Sequence, residues 1–359
     1  MFKLAAFYLL PLILGVQANT QVERQVKDFF EAPGHTNNWA VLVCTSRFWH
    51  NYRHVANVLS LYHSIKRLGI PDSNIIMMLA DDIPCNSRNP HPGAIYNRAD
   101  NRFNLYGNDI EVDYRGYEVT VENFIRVMTG RIHPATPRSK RLLSDHQSNV
   151  LVYLTGHGGV GFMKFQDSVE LTSQDLADSI EVMFQGNRYH EMLVIADSCK
   201  SASMYKPIYS PHVLATSSSL EDEDAYSHHV DYSIGVYIID RYTFYTVQYL
   251  ENEVRDLETN RSMTQYFDSC KYSDCLSHTG VRTDLYEKDP SRVKITDFFG
   301  GSRKIRAVNE EIEFDDEWLN SDPTPTTGFT SEALRQFERV EAGVDDSLKT
   351  ACVLGVCSW

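Results

Sequence analysis

The sequence predicts an α/β fold in which a mostly parallel central sheet is flanked by helices. Short continuous apolar runs recur along the chain, amphipathic helical stretches separate them, and polar or glycine residues end them. Strands that read as unbroken apolar runs are buried on both faces, as parallel strands covered by helices must be.

The runs are Trp39–Cys44, Ile75–Leu79, Asn149–Thr155, Met192–Ala196 and Val213–Thr216. Between the first two, Val55, Val58, Leu59, Tyr62, Ile65 and Leu68 recur at helical spacing, and Gly69 with Pro71 supplies a stop. A second helix is predicted from Leu176, Ile180, Met183 and Phe184, behind the capping candidates Thr172 and Ser173. A third is predicted across Ile234–Leu250, a stretch rich in aromatic residues. In open sheets of this kind, sites gather beyond the carboxyl ends of the strands. Thr155-Gly156-His157-Gly158-Gly159 and Asp197-Ser198-Cys199 both fall there.

A chain of 359 residues with 42% hydrophobic and 11% aromatic content sustains a large core, which excludes a disordered protein. Its net charge of −14 argues against nucleic acid as a partner, because phosphate binding needs clustered Lys and Arg. Residues 1–18 read as a secretory signal peptide: Lys3, an apolar stretch from Leu4 to Val16, then Val16-Gln17-Ala18. Residues 19–302 form the expected catalytic domain. From Arg303 the texture becomes acidic, with Glu310, Glu311, Glu313, Asp315, Asp316 and Glu317 ahead of turn formers from Asp322 to Gly328. Residues 303–359 therefore read as a flexible tail. No apolar segment after residue 19 is long enough to span a bilayer, so the mature chain reads as soluble or as held at a membrane only by partners.

Export places the seven cysteines in an oxidising compartment. Cys270 and Cys275 are spaced to staple a loop, and Cys352 and Cys357 repeat that spacing. Cys44, Cys85 and Cys199 lack nearby partners. Cys85 follows the polar Asp81-Asp82-Ile83-Pro84 and is expected to be exposed and disulfide-linked to another chain.

A nucleophilic thiol needs a base within reach and donors aimed at the developing oxyanion. His157 and Cys199 close two apolar strands, and Gly158-Gly159 lets a backbone N–H approach a substrate oxygen. Lys200, next in sequence, would favour the thiolate. The plain alternatives are a buried structural Cys and a His in a turn. A zinc site lacks a second close-spaced ligand pair, and a serine hydrolase lacks its Gly-x-Ser-x-Gly elbow.

Asn51-Tyr52-Arg53-His54, Thr155–Gly159 and Asp197–Cys199 together resemble the legumain and caspase-like clan of cysteine peptidases. Longer blocks at Leu79–Asn86, Tyr106–Tyr114, Tyr117–Phe124, Pro137–Asp145, Asp240–Tyr245 and Ile295–Gly300 resemble the catalytic subunits of glycosylphosphatidylinositol (GPI) anchor transamidases. That resemblance runs from about Asn37 to Arg303; ordinary legumains share the short motifs alone. It implies a caspase/legumain-like sandwich in the endoplasmic reticulum lumen. It also implies that Cys199 attacks the carbonyl at the attachment residue of a proprotein and expels its C-terminal signal, and that the ethanolamine amine of a GPI lipid resolves the thioester.

The same resemblance makes His157 the proton carrier, puts the Gly158 N–H in the oxyanion hole, and has Asn51 orient the imidazole. On the residues alone, Asn51 reads equally well as the cap of the helix that follows. No cofactor is required for this chemistry; Asp72, Glu111 and Asp113 match positions associated in the family with a structural calcium ion, which favours carboxylate oxygens. The implied partners are the proprotein signal, the GPI lipid and membrane subunits of a complex, one linked through Cys85. Ser198 and Lys200 depart from the Thr and Gln of relatives. Many members end in a transmembrane helix, whereas this sequence ends in Ala351–Trp359. A soluble asparaginyl endopeptidase and an inactive lumenal scaffold are the rival readings, and Asn260-Arg261-Ser262 is a glycosylation acceptor.

Overall fold

The apolar runs become parallel strands because each is buried on both of its faces. The computed structural model describes residues 34–302 apart from 99, 101, 102, 108 and 109. The expected signal peptide and acidic tail, with Cys352 and Cys357, lie outside the described residues. In chain order the strands are β1 (Asn37–Cys44), β2 (Ile75–Leu79), β3 (Tyr114–Arg115), β4 (Ser148–Thr155), β5 (Gly158–Gly159), β6 (Phe162–Phe165), β7 (Val169–Thr172), β8 (Glu191–Asp197), β9 (Val213–Ser217), β10 (Ser227–Asp231), β11 (Val236–Asp240) and β12 (Gly280–Arg282). The main sheet has the order β12-β9-β8-β4-β1-β2-β3, parallel throughout except for β12 against β9. Strands β5–β7 make a small antiparallel sheet and β10–β11 a hairpin.

Alternate residues of each strand point to opposite layers. Leu42, Met77, Leu151 and Leu193 face a layer built with helices α1 (Tyr52–Arg67) and, further along, Arg241–Glu253. Val41, Met78, Val150 and Val194 face α2 (Val121–Thr129) and α3 (Ser173–Gln185). This three-layer arrangement is the expected fold class.

Helix α1 stops where the sequence predicts, with Leu68 as its cap and Gly69 at φ 95°. Helix α3 starts at Thr172, whose hydroxyl accepts from the Asp175 N–H. The third expected helix is corrected. Residues Val236–Asp240 are strand β11, and helix α4 begins only at Arg241. The reason lies in Val236-Tyr237-Ile238-Ile239, a β-branched and aromatic run that follows Gly235 at φ 80° in a hairpin turn. Cys270 and Cys275 are bridged, as their spacing predicts.

The core rests on the central strands, so its stability is checked there. Leu193 on β8 is fully buried, and Leu193→Ala is expected to lower unfolding free energy by about 2–5 kcal/mol. A urea midpoint equal to that of the parent chain would contradict the layer assignment.

Candidate active site

Strands β1, β4 and β8 end at one level, since Cys44 pairs with Thr155 and Thr155 with Asp197. His157 and Cys199 each follow their strand end by two residues, so the register brings their two loops out at neighbouring positions on one sheet edge. The Gly156 N–H donates to the Asp197 carbonyl at 3.3 Å. A Cβ on Gly158 would lie 2.6 Å from Ser198 Oγ and 3.2 Å from the Cys199 carbonyl. The two loops therefore touch, and any side chain at 158 would push them apart.

His157 Nε2 lies 2.8 Å from Asn51 Oδ1. The Asn51 amide nitrogen donates to the Arg47 carbonyl at 2.6 Å, which fixes its oxygen toward the imidazole. That oxygen can only accept, so Nε2 carries the proton and Nδ1 is the basic nitrogen. Asn51 does stand at the start of α1, yet its side chain makes no capping hydrogen bond. The cap reading is not realised. Asp167 Oδ2 braces the same turn, accepting from the Arg47 N–H at 2.9 Å.

Burial first, and the Arg53 guanidinium second, hold the His157 imidazole below its ordinary range, against the pull of Asp167 and Asp240. It is neutral at neutral pH. Burial pushes the Cys199 thiol up, and the carboxylates of Asp224 and Asp240 add to that shift. The thiol donates to the Ala225 carbonyl at 3.8 Å. Lys200, expected to favour the thiolate, is not among the groups that shift the Cys199 thiol. Its backbone is left-handed, at φ 58°, and its ammonium pairs with Asp224 at 3.4 Å.

Beneath this pair lies a charged layer that sequence reasoning missed. Asp240 takes the Arg53 guanidinium at 3.0 Å and the Asn57 amide at 2.6 Å. Asp197 receives hydroxyl donors alone, Thr243 at 2.6 Å and Tyr153 at 3.1 Å, and its Oδ1 has no hydrogen-bond partner among the described residues. Burial and repulsion from Asp240 push Asp197 up to about 7. Burial raises Asp240 as well, but the Arg53 guanidinium and the Asn57 amide pull it back, so Asp197 is the member of the pair that favours the proton. The available signals were Arg53 inside the Asn51–His54 motif and Asp240 at the head of Asp240–Tyr245.

The three carboxylates expected to hold calcium are not gathered into a ligand set. Asp72 is spent on Lys66 at 2.7 Å and on the Tyr62 hydroxyl. Asp113 Oδ2 accepts from the Met77 N–H at 2.9 Å, and burial, with Glu111 nearby, pushes Asp113 up to about 7. Among the described residues no group of three His, Cys, Asp or Glu is placed to hold a metal ion. Cys85 is exposed and unpaired among the described residues, and Asn260 is exposed.

The chain matches the Peptidase C13 family over residues 38–296. A Caenorhabditis elegans relative is 67% identical over 300 residues, covering 84% of this chain and 94% of that protein. The GPI-anchor transamidase of Homo sapiens is 57% identical over 302 residues, covering 84% of this chain and 76% of the relative. That of Saccharomyces cerevisiae is 50% identical over 302 residues, covering 84% and 72%. Among solved structures, caspase-1 from Spodoptera frugiperda superposes with a TM-score of 0.42 at 10% identity, over 76% of this chain and 92% of that one. The chain belongs to the Peptidase C13 family.

The proton held by Asp197 has a signature in stability. An unfolded Asp loses its proton near pH 4, the folded one near 7, so between those values the folded state binds more protons. The associated stability is complete below the unfolded value and is lost as pH rises through about 7. In Asp197→Asn the decline of the urea midpoint across that window is expected to flatten; an unchanged slope would place the proton elsewhere.

Proposed function

We propose that this member of the Peptidase C13 family is the catalytic subunit of a GPI-anchor transamidase, in which Cys199 is the nucleophile and His157 its base. The observation that carries the reading is the hydrogen bond from His157 Nε2 to Asn51 Oδ1. It leaves Nδ1 free to take a proton on the strand edge that also bears Cys199. The relatives named GPI-anchor transamidase supply the substrate class: a proprotein and a GPI lipid.

Both members of the pair start neutral, so proton transfer accompanies attack. Cys199 passes its proton to His157 Nδ1 as the sulfur adds to the carbonyl of the attachment residue. The Gly158 N–H, unobstructed by a side chain, stabilises the oxyanion. The imidazolium then protonates the departing amine of the C-terminal signal, leaving a thioester on Cys199. The GPI ethanolamine amine attacks that thioester, forming the amide and freeing the sulfur. Asn51 holds the imidazole in the required tautomer throughout. No step passes through a metal.

The reaction is assigned to the endoplasmic reticulum lumen. Among the described residues no helix is long and apolar enough to cross a membrane, and the chain is held there through membrane subunits. Exposed Cys85 is assigned a disulfide to one of them. An asparaginyl endopeptidase would share the same dyad but admit water in place of the amine.

Cys199→Ala and His157→Ala are each expected to lower anchoring of a reporter protein by at least about a hundredfold with the chain still folded. In lumenal membranes, hydroxylamine is expected to trap the proprotein as a hydroxamate lacking its C-terminal signal. Rapid cleavage of peptides after Asn by the isolated chain, with no amine incorporated, would favour the endopeptidase. For Cys85, electrophoresis of the native complex without reductant is expected to show the chain in a larger species that Cys85→Ser abolishes; free migration of the parent chain would refute the link.

A further inference from the structure

The segment Ser218–Ala225 is clamped against the nucleophile. The hydroxyls of Ser218 and Ser219 donate to the Ser198 carbonyl at 3.2 Å and 2.9 Å, and the Lys200 N–H donates to the Glu223 carbonyl at 2.8 Å. The Cys199 thiol in turn donates to the Ala225 carbonyl. Glu223 is occupied, since its carboxylate takes the backbone N–H and the imidazole of His278. Asp224 is different. It stands between Glu223 and Ala225, whose carbonyls take the Lys200 N–H and the Cys199 thiol, its charge holds that thiol up, its carboxylate pairs with the Lys200 ammonium at 3.4 Å, and its side chain is 58% exposed.

A carboxylate is a poor neighbour for a thiol that must lose its proton. No gain in the first step explains this placement. After acylation the sulfur is a neutral thioester, and the group that must reach it is a primary amine, cationic at neutral pH. We propose that Asp224 is a specificity-determining residue that binds the incoming ammonium beside the thioester and so favours the amine over water, with Lys200 as the resident cation that it displaces. The inference rests on the amine-transfer reading above.

The amine nitrogen forms the C–N bond as the C–S bond breaks. Of the two protons that the ammonium sheds in becoming an amide N–H, one reaches the Cys199 sulfur through His157 and the other goes to solvent. Asp224 holds the ammonium until the first proton leaves; no oxidant or second reactant is needed.

The experiment uses membranes that hold the intact assembly and one proprotein reporter, with ethanolamine, cationic at neutral pH, competing against hydroxylamine, neutral there. Hydroxamate formed by the parent enzyme establishes the thioester; its absence would overturn the transamidase reading and this inference with it. Given the thioester, Asp224→Asn is expected to lower the ratio of ethanolamide to hydroxamate on the order of fivefold, the size of one half-exposed ion pair. Lys200→Gln, which removes the competing ammonium, is expected to raise that ratio. Alkylation of Cys199 by iodoacetamide is expected to quicken in Asp224→Asn, a sign that folding damage would not give. A ratio unchanged in both variants would overturn the proposal.

Discussion

The register of β4 between β1 and β8 is the constraint on which the site depends. Cys44, Thr155 and Asp197 stand level, and the chain leaves β4 and β8 through two-residue steps to His157 and Cys199. A slip of one residue would displace one partner by about 3.3 Å, more than a hydrogen bond tolerates. It would also turn the alternating apolar residues of that strand toward the wrong layer, so the packing of Leu151 and Val152 in opposite layers guards the spacing of the His157 and Cys199 loops. Gly156 and Gly158 complete the constraint by letting the backbone lie where a Cβ would meet the Thr45 and Ser198 hydroxyls.

Asn51 arrives from a different element, so something must fix α1 relative to the sheet. Asp240 does this. It grips Arg53 and Asn57 from the first turns of α1, and the Asn57 amide also donates to Thr155 Oγ1 at 3.0 Å while its oxygen accepts from the Asp240 N–H at 3.0 Å. One side chain thereby ties the start of α1 to the end of β4 and to the head of α4. Such buried charge contributes little net stability, because desolvation offsets the attraction. Its return is geometric: the helix cannot rotate Asn51 away from His157 without stranding a carboxylate.

The sheet was legible in the sequence because a strand buried on both faces is an apolar run with sharp ends; Ile75–Leu79 matches to the residue, and the others extend by one or two. His157 and Cys199 were legible because they stand just past those ends. Asn51 was not decidable, since a cap and an imidazole partner look alike until the third dimension shows where the amide points. The expectation at Lys200 misses for another reason: adjacency in sequence suggests a cation near the thiol but not that its ammonium is already paired with Asp224, which a separate loop delivers. The Asp197–Asp240 pair was invisible for the same reason, being made from residues 43 positions apart. Helix periodicity misread Val236–Asp240 because four apolar residues in a row fit either period.

Three cysteines are free among the described residues, and their surroundings separate them. Cys44 is wholly buried and pushed up to about 12, which makes it a packing group. Cys85 is exposed, so exchange with another chain is open to it, though the Asp82 carboxylate holds its thiol up. Cys199 is half-buried, its thiol also held up, and differs from both in having a neutral imidazole at its own strand edge. Reactivity here is therefore assigned by position and not by acidity. A resting thiolate would be the better nucleophile toward a carbonyl, but in an oxidising compartment it would also be the better target for disulfides and peroxides. On the mechanism proposed above, a thiol that stays protonated until a carbonyl is seated against it, and then loses its proton to Nδ1, would be protected between turnovers by the same burial that slows its activation.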